Sequence, residues 1–157
     1  MEQDIKVRFG IEALEEQKFE FLSSVPDPID ASALEVRYLI ETEILRSEER
    51  IKVTTGVKYS LRETPLCELI IDAVFGMAPF SEIVVIDESK KTVSFTKEIV
   101  PTLLNITFGA LRGVLFEKTR GTSLGAFPLP LISMPDLVEM NRFRVEKAGF
   151  GHGNARI

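Results

Sequence analysis

The stretch LCELIIDAVFGM, Leu66–Met77, decides the fold that the sequence predicts. Its odd-numbered residues are all apolar, whereas its even-numbered residues mix apolar side chains with Glu68 and Asp72. This alternation with a period of two is typical of a β-strand. A strand that is apolar on one face and partly apolar on the other is usually central in its sheet or lies at a subunit contact. We therefore expect a sheet to form around this segment.

Three earlier segments show the same alternation. The first runs from Ile5 to Phe21, and its phase slips at Leu14. A bulge near residues 15–17 would explain the slip, because one extra residue returns the following side chains to the inner face. The other two segments, 34–44 and 51–61, are joined by the short turn RSEER and should form an antiparallel hairpin. Residues 23–32, rich in Pro, Asp and Ser, separate the first strand from the hairpin as a crossover loop.

The apolar period becomes helical after the fourth strand. Segment 81–96 is open to two interpretations, a small hairpin turning at residues 87–91 or a strand followed by a loop. From Pro101 to Gly121 apolar residues recur at helical spacing, and proline is favoured in the first turn of a helix. A second, shorter helix is expected over residues 136–148. The predicted fold is α+β, a four-stranded antiparallel sheet followed by two helices packed on one face, in a single domain of residues 1–145 with a flexible tail of residues 146–157.

Composition and charge exclude several classes of function. The net charge of −5 and the absence of a dense Lys/Arg cluster argue against binding to nucleic acid or to an anionic membrane. No cationic start precedes an apolar run, and no apolar stretch approaches the ~20 residues that span a bilayer, so we expect no membrane partner. Cys67 is the single cysteine and His152 the single histidine, which leaves no disulfide and no zinc site and suits a reducing cytoplasm.

No pattern in the sequence indicates catalysis. The acidic pairs at residues 15–16, 41–43 and 48–49 have no accompanying base, nucleophile or oxyanion site, and no glycine-rich phosphate loop is present. We therefore predict a protein that is not an enzyme and that needs no cofactor and no metal.

The segment GTSLGAFPLPLISMP, Gly121–Pro135, contains fifteen uncharged residues, and its three prolines forbid a regular helix or a central strand. An apolar loop of this kind either covers the protein's own core or offers a surface to a partner. The predicted helix also has two possible interpretations at Gly109 and Gly113, which lie four residues apart. The helix face that they expose packs closely either on the chain's own sheet or on a second subunit.

The order of these elements resembles the SecB export chaperones over roughly residues 5–145. The resemblance rests on a bent first strand ending in FEFLSSVP, a hairpin, a fourth strand with LCEL and DAVFGM, a helix begun by proline and an apolar loop containing FPLPLI. It implies a sheet with helices on one side, assembly as a homodimer or a homotetramer, and an ATP-independent holdase that binds unfolded polypeptide clients in the cytoplasm. Departures include the absence of tryptophan and the extra segment 81–96.

The resemblance also implies three groups of site residues. The apolar loop would roof a groove for unfolded peptide, with the candidate residues Val25, Ile29, Leu124, Phe127, Leu129, Leu131, Ile132, Met134, Leu137 and Met140. The outward face of the sheet would dock the translocase motor SecA through Leu66 and Glu68, although Lys18 stands where the first strand usually carries an acidic residue. Gly109 and Gly113 would lie at an oligomer interface.

Three functions remain open from the sequence. The first is a chaperone that holds precursor proteins for export. The second is a SecB-like chaperone dedicated to one partner, such as the antitoxin of a toxin–antitoxin pair. The third is a small-molecule-binding protein or an enzyme whose site the sequence does not reveal.

Overall fold

The structure, a computed structural model, describes residues 6–95, 98–146 and 154–156. Four long strands come first in the chain: β1 (Arg8–Phe21), β2 (Leu34–Leu45), β3 (Arg50–Leu61) and β4 (Thr64–Ala78). A short helix, α1 (Phe80–Ile83), leads to the strands β5 (Val84–Asp87) and β6 (Thr92–Phe95). The helices α2 (Ile99–Thr119) and α3 (Met134–Met140) follow, and then the strands β7 (Arg142–Glu146) and β8 (Asn154–Arg156).

The main sheet has six strands in the order β1-β4-β3-β2-β7-β8. Strands β1 to β4 pair antiparallel, as the sequence predicts, and β1 lies at an edge of the sheet. The predicted number of four strands is wrong, because β7 pairs parallel to β2 and β8 pairs antiparallel to β7. The second shift in the register of β1 falls between Glu16 and Lys18, where the sequence indicates a bulge.

The segment Arg142–Glu146 corrects the predicted second helix, which ends at Met140. Its sequence RFRVE alternates charged and apolar residues with a period of two, which suits a strand better than a helix. Val145 lies in the core and Phe143 packs against it, so the apolar half of the alternation faces inward. An available edge of β2 provides the hydrogen-bond partners that this short segment needs.

The core lies between α2 and one face of the main sheet. The odd-numbered residues of β4 from Cys67 to Met77 are buried, and α2 contacts β3 and β4. The predicted apolar stripe of α2, which includes Leu104, Phe108, Leu111 and Leu115, is buried. The helix begins at Ile99, two residues before the predicted start, and Pro101 is tolerated because it still lies in the first turn.

By length and composition α2 would suffice to cross a membrane, since it has 21 residues and an 18-residue window of mean hydropathy 1.6. The expectation that no apolar stretch approaches this length is therefore wrong. In this fold 44% of that window is buried, and the core helix of a soluble protein passes the same test.

Two further parts of the sequence prediction lie outside the core. Strands β5 and β6 pair antiparallel, so the hairpin interpretation of segment 81–96 is confirmed. In the predicted flexible tail, Asn154–Arg156 pairs with β7. Residues 147–153, with His152, and residue 157 lie outside the described residues.

Candidate functional site

The apolar stretch Gly121–Pro135, here named the crossover segment, is held over the sheet by side chains from the elements beneath it. The hydroxyl of Tyr59 on β3 donates to the carbonyl of Phe127 at 2.7 Å. Arg112 on α2 donates from Nε to the carbonyl of Leu129 at 3.1 Å and from Nη2 to that of Pro130 at 3.2 Å. These bonds satisfy carbonyls in a stretch where proline prevents a regular strand or helix.

The far end of the crossover segment is anchored at α3. The hydroxyl of Ser133 accepts a hydrogen bond from the backbone N–H of Asp136 and so caps the helix. After α3, Asn141 accepts a hydrogen bond through Oδ1 from the Thr42 hydroxyl of β2 at 2.8 Å. The crossover segment is thus bonded to β3 at Tyr59, whose partner on β2 is Val36, and the residue after α3 is bonded to β2 at Thr42.

The structure divides the predicted peptide-binding residues into two groups. Four are buried in the core, which is the covering role that the sequence left open for this loop: Ile29, Leu124, Leu129 and Leu137. The other six keep part or most of their surface exposed: Val25, Phe127, Leu131, Ile132, Met134 and Met140. Leu131 is the extreme case, with 88% of its surface exposed, whereas Leu129 two residues earlier is 3% exposed.

Other apolar residues that the sequence analysis did not select lie beside these six. Val138 is exposed and follows Met134 by one helical turn, a spacing that would have identified it. On β2 the side chains of Leu34, Val36 and Tyr38 are only half-buried, although they belong to the core face of the sheet.

Strand β2 has an edge that is only partly covered by another strand. Strand β3 pairs with the whole of β2, but β7 covers only Glu41–Ile44 of its other edge. Within the described ranges no strand pairs with residues 34–40 at that edge. Unpaired N–H and C=O groups at an edge are a template for a further strand. We name this edge, together with the six partly or largely exposed residues, the β2 groove.

A cation and two aromatic rings support the groove from the α2 side. The Arg112 guanidinium lies 5.4 Å from the centre of the Phe108 ring, and Tyr38 meets the same ring edge-on at 5.7 Å. Burial raises the pKa of Tyr38, against a lowering by the charge of Arg112. Burial also raises the pKa of Tyr59 far above its usual range, so its hydroxyl stays protonated and remains a donor to Phe127.

The outer face of the sheet gives a mixed result for the predicted docking pair. Glu68 lies at the surface, where its carboxylate is 3.4 Å from the ammonium of Lys18. Leu66 is 1% exposed, because the register between β3 and β4 shifts beside it and turns both Leu66 and Cys67 inward. In this chain only Glu68 of the pair can touch a partner.

Two apolar surfaces lie away from the groove. Gly109 and Gly113 face outward on α2, and a Cβ atom added to either would meet nothing within 4 Å. The exposed ring of Phe116 follows Gly113 by three residues. Strand β1, at the edge of the sheet, exposes Phe9, Ile11, Leu14 and Phe21.

Among the residues that the structure describes, no group of three or more His, Cys, Asp or Glu side chains could hold a metal ion. Concavities on the outer face of the sheet are shallow and bounded by charged residues. The arrangement offers apolar contact and backbone pairing.

Comparison with known proteins supports this description at the level of the fold. No family model and no curated protein matches the sequence. Among solved structures, the chain is similar to the Rv1957 SecB-like chaperone of Mycobacterium tuberculosis in complex with a ChAD peptide from the Rv1956 HigA1 antitoxin. The two share 10% sequence identity with a TM-score of 0.50, over 80% of this chain and 91% of that one. This chain therefore has the fold of a SecB-like chaperone.

Proposed function

We propose that this protein is a chaperone that holds unfolded polypeptide segments in the β2 groove without using ATP. Two features support the proposal. Leu131 is 88% exposed on a segment that hydrogen bonds hold in position. The elements that flank Leu131 are bonded to Tyr59 of β3 and to Thr42 of β2, and β2 has an open edge at residues 34–40. A surface leucine this exposed contributes little to the protein's own fold.

The two features suit an unfolded client for different physical reasons. Side chains of the groove remove the client's apolar groups from water, each worth roughly 1.5–3 kcal/mol when fully buried, without selecting a sequence. The strand edge binds any extended backbone, because each residue offers the same N–H and C=O groups. Leucine and methionine repack around different side chains. A wide range of extended segments can therefore occupy one groove.

Two classes of client are compatible with the proposal. The resemblance to the SecB export chaperones implies precursor proteins in the cytoplasm, with SecA docking near Glu68. The second class is a single dedicated partner such as an antitoxin. Two observations favour this class: the similar solved chaperone holds an antitoxin peptide, and Lys18 already pairs with Glu68.

We further propose that the protein is a homo-oligomer. The exposed apolar residues of β1 and the bare Gly109–Gly113 face of α2 are the two surfaces available for pairing. An edge strand with exposed aromatic side chains is a liability unless another chain covers it. A dimer or a tetramer that pairs through these surfaces would cover both.

The test is whether the protein, without nucleotide, suppresses the aggregation of a client polypeptide that is refolding. We expect light scattering by a reduced, unfolded polypeptide to fall when the protein is present, with or without added ATP. Failure to suppress at a several-fold molar excess of protomer, or a requirement for ATP, would refute the proposal. Direct titration of a precursor segment and of an antitoxin segment then separates the two classes, because a dedicated chaperone binds one of them far more tightly.

A further inference from the structure

Two cations of α2 lie over aromatic rings, but they differ in their charged partners. Nζ of Lys118 lies 5.3 Å from the centre of the Phe19 ring and 2.9 Å from a carboxylate oxygen of Glu16. The Arg112 guanidinium lies 5.4 Å from the centre of the Phe108 ring. Among the residues that the structure describes, no carboxylate oxygen lies within 4.0 Å of that guanidinium. The described chain therefore gives Arg112 no counter-ion.

The groups that Arg112 does contact are neutral. Its Nε and Nη2 donate to the carbonyls of Leu129 and Pro130. A guanidinium has five N–H donors, so both N–H groups of Nη1 and one of Nη2 have no acceptor among the described residues. Arg112 is also half-buried, and withdrawing a charge from water without an opposite charge costs free energy. A carboxylate at these N–H groups would offset that cost, because charge-assisted hydrogen bonds are stronger than those between neutral groups.

Two acidic residues close to this region of the sequence have other roles. Glu117, on the same helix, pairs with Arg120 at 3.6 Å. Asp136 is exposed in the first turn of α3, where the helix dipole favours a negative charge. A bound molecule can supply the carboxylate that the described chain does not provide.

Arg112 adjoins the β2 groove. Leu131, which is 88% exposed, directly follows the Pro130 whose carbonyl Arg112 binds. Tyr38, on the open edge of β2, meets the Phe108 ring edge-on at 5.7 Å. Burial raises the pKa of Tyr38, and the charge of Arg112 opposes that rise, so the cation acts on the edge strand as well. A client in the groove would therefore lie near this guanidinium.

We propose that Arg112 binds the side-chain carboxylate of an aspartate or glutamate in the client, so that the groove prefers extended segments with one acidic residue among apolar ones. This inference rests on the proposed function and adds a preference to it. In an extended segment, residues two apart point to the same side at a distance of roughly 7 Å. An apolar residue two positions from the acidic one can thus contact Leu131 while the carboxylate reaches Arg112. The net charge of −5 disfavours a segment with many acidic residues.

The experiment measures, by isothermal titration calorimetry, the Kd of short peptides for the full-length protein. The peptide Gly-Ser-Val-Leu-Thr-Glu-Thr-Leu-Val-Ser-Gly is acetylated and amidated, so the glutamate side chain is its only carboxylate. A second peptide has glutamine in place of the glutamate. We expect a Kd of roughly 10–500 μM for the glutamate peptide and a value roughly fivefold higher for the glutamine peptide, because a charge-assisted hydrogen bond is replaced by a neutral one.

Variants of Arg112 show whether this cation recognises the carboxylate. In Arg112→Gln the two peptides should bind with equal Kd values. Arg112→Lys keeps the charge, and the glutamate peptide should still bind roughly twofold more tightly than the glutamine peptide. The readout is the ratio of the two Kd values, which a purely structural role of Arg112 in holding Leu129 and Pro130 would leave unchanged.

Two variants serve as controls. Lys118→Gln removes a cation from the same helix, but one that already has Glu16 as its partner, so the ratio of Kd values should match that of the wild type. Leu131→Ser should weaken both peptides by the same factor and leave the ratio unchanged, because it removes an apolar contact of the groove. Light scattering should give Arg112→Gln the same mass as the wild type.

Four outcomes would overturn the proposal: equal binding of the two peptides by the wild type, a preference that survives in Arg112→Gln, an equal loss of preference in Lys118→Gln, or peptide binding that Leu131→Ser does not weaken. A smaller mass for Arg112→Gln would also contradict it, since the guanidinium would then lie between subunits. Suppression of client aggregation is measured separately. If suppression is present and the two peptides bind equally, the carboxylate preference fails alone; if suppression is absent, the proposed function fails.

Discussion

At the residue scale, neighbouring leucines of the crossover segment have opposite roles. Leu129 and Leu131 stand in the same run PLPL, yet one is buried in the core and the other is almost fully exposed. The bonds from Arg112 to the carbonyls of Leu129 and Pro130 fix which way each side chain turns. Composition alone does not distinguish the two.

This difference gives a matched pair of substitutions. We expect Leu131→Ser to change the free energy of unfolding by no more than about 0.5 kcal/mol, as surface substitutions do. The same change should weaken client binding roughly tenfold, because an apolar contact worth ~1.5 kcal/mol is lost. Leu129→Ala should instead destabilise the fold by about 2–5 kcal/mol. Urea unfolding and client titration measure the two effects; a large loss of stability in Leu131→Ser would show that this residue is also part of the core.

Cys67 gives a prediction that depends on pH. Burial raises the pKa of its thiol from 9.0 to about 11, against a lowering by the hydrogen bond with the Tyr59 backbone. The folded state therefore holds the proton more tightly than the unfolded chain does. The resulting stability is fully present below pH 9 and is lost as pH rises from 9 to about 11.

The variant Cys67→Ala isolates this effect because it retains every other titrating group. We expect the urea midpoint of the wild type to fall, relative to that of Cys67→Ala, between pH 9 and 11. A thiol reagent should react with the native protein only as fast as the protein unfolds, since the side chain is buried. Rapid labelling of native protein at neutral pH would contradict the buried position.

At the element scale, α2 presents two different faces. Its buried face packs on β3 and β4. Its opposite face has no side chain at Gly109 and Gly113, and a Cβ atom added to either would meet nothing within 4 Å among the residues that the structure describes. Of the two interpretations left open by the sequence, close packing of the glycines on the chain's own sheet is therefore wrong. A second subunit remains as the proposal.

Replacing Gly109 and Gly113 with leucine tests that proposal. We expect the variant to form smaller particles than the wild type, because the added side chains keep a second helix at a distance. Its melting temperature should not fall, since glycine in a helix interior costs up to about 1 kcal/mol relative to better helix formers. Glu139→Leu places a leucine on the exposed side of α3 and is the control for an added apolar surface. If the glycine variant keeps the mass of the wild type, these glycines are not at an interface.

Strand β7 shows how pairing with a neighbouring strand can determine whether a short segment forms a strand or a helix. Residues 142–146 have the alternation of a strand, but a segment of five residues is too short for that pattern to exclude a continuation of α3. Pairing with Glu41–Ile44 of β2 supplies backbone hydrogen bonds that a frayed helix end would lack. The salt bridge from Arg144 to Glu41 at 3.0 Å lies along the same pairing.

At the scale of the whole molecule, large apolar side chains are exposed on several elements, most of all on the edge strand β1. We expect light scattering at micromolar concentration to give the mass of a dimer at least, and about four times 17.6 kDa for a tetramer. A protein that sediments as a monomer would remove the assembly proposal. It would also weaken the holdase proposal, because the edge at residues 34–40 of one protomer is too short to hold a long extended client.

Periodicity in the sequence was sufficient to predict the four long strands, the bulge in β1, the hairpin of β2 and β3 and the buried stripe of α2. Each of these depends on which residues are apolar at a spacing of two or of three to four, a local property of the chain. The sequence also marked the crossover segment as unusual, because fifteen uncharged residues with three prolines form no regular element.

Only the tertiary structure decided which apolar residues are buried and which face solvent. Leu124, Leu129, Leu137 and Leu66 are buried, and Leu131, Gly109 and Gly113 are exposed, according to what lies within reach in space. Contacts distant in sequence made these choices, such as Arg112 with Leu129 and Tyr59 with Phe127. The sequence pattern reports how apolar a residue is, and burial depends in addition on which element covers it.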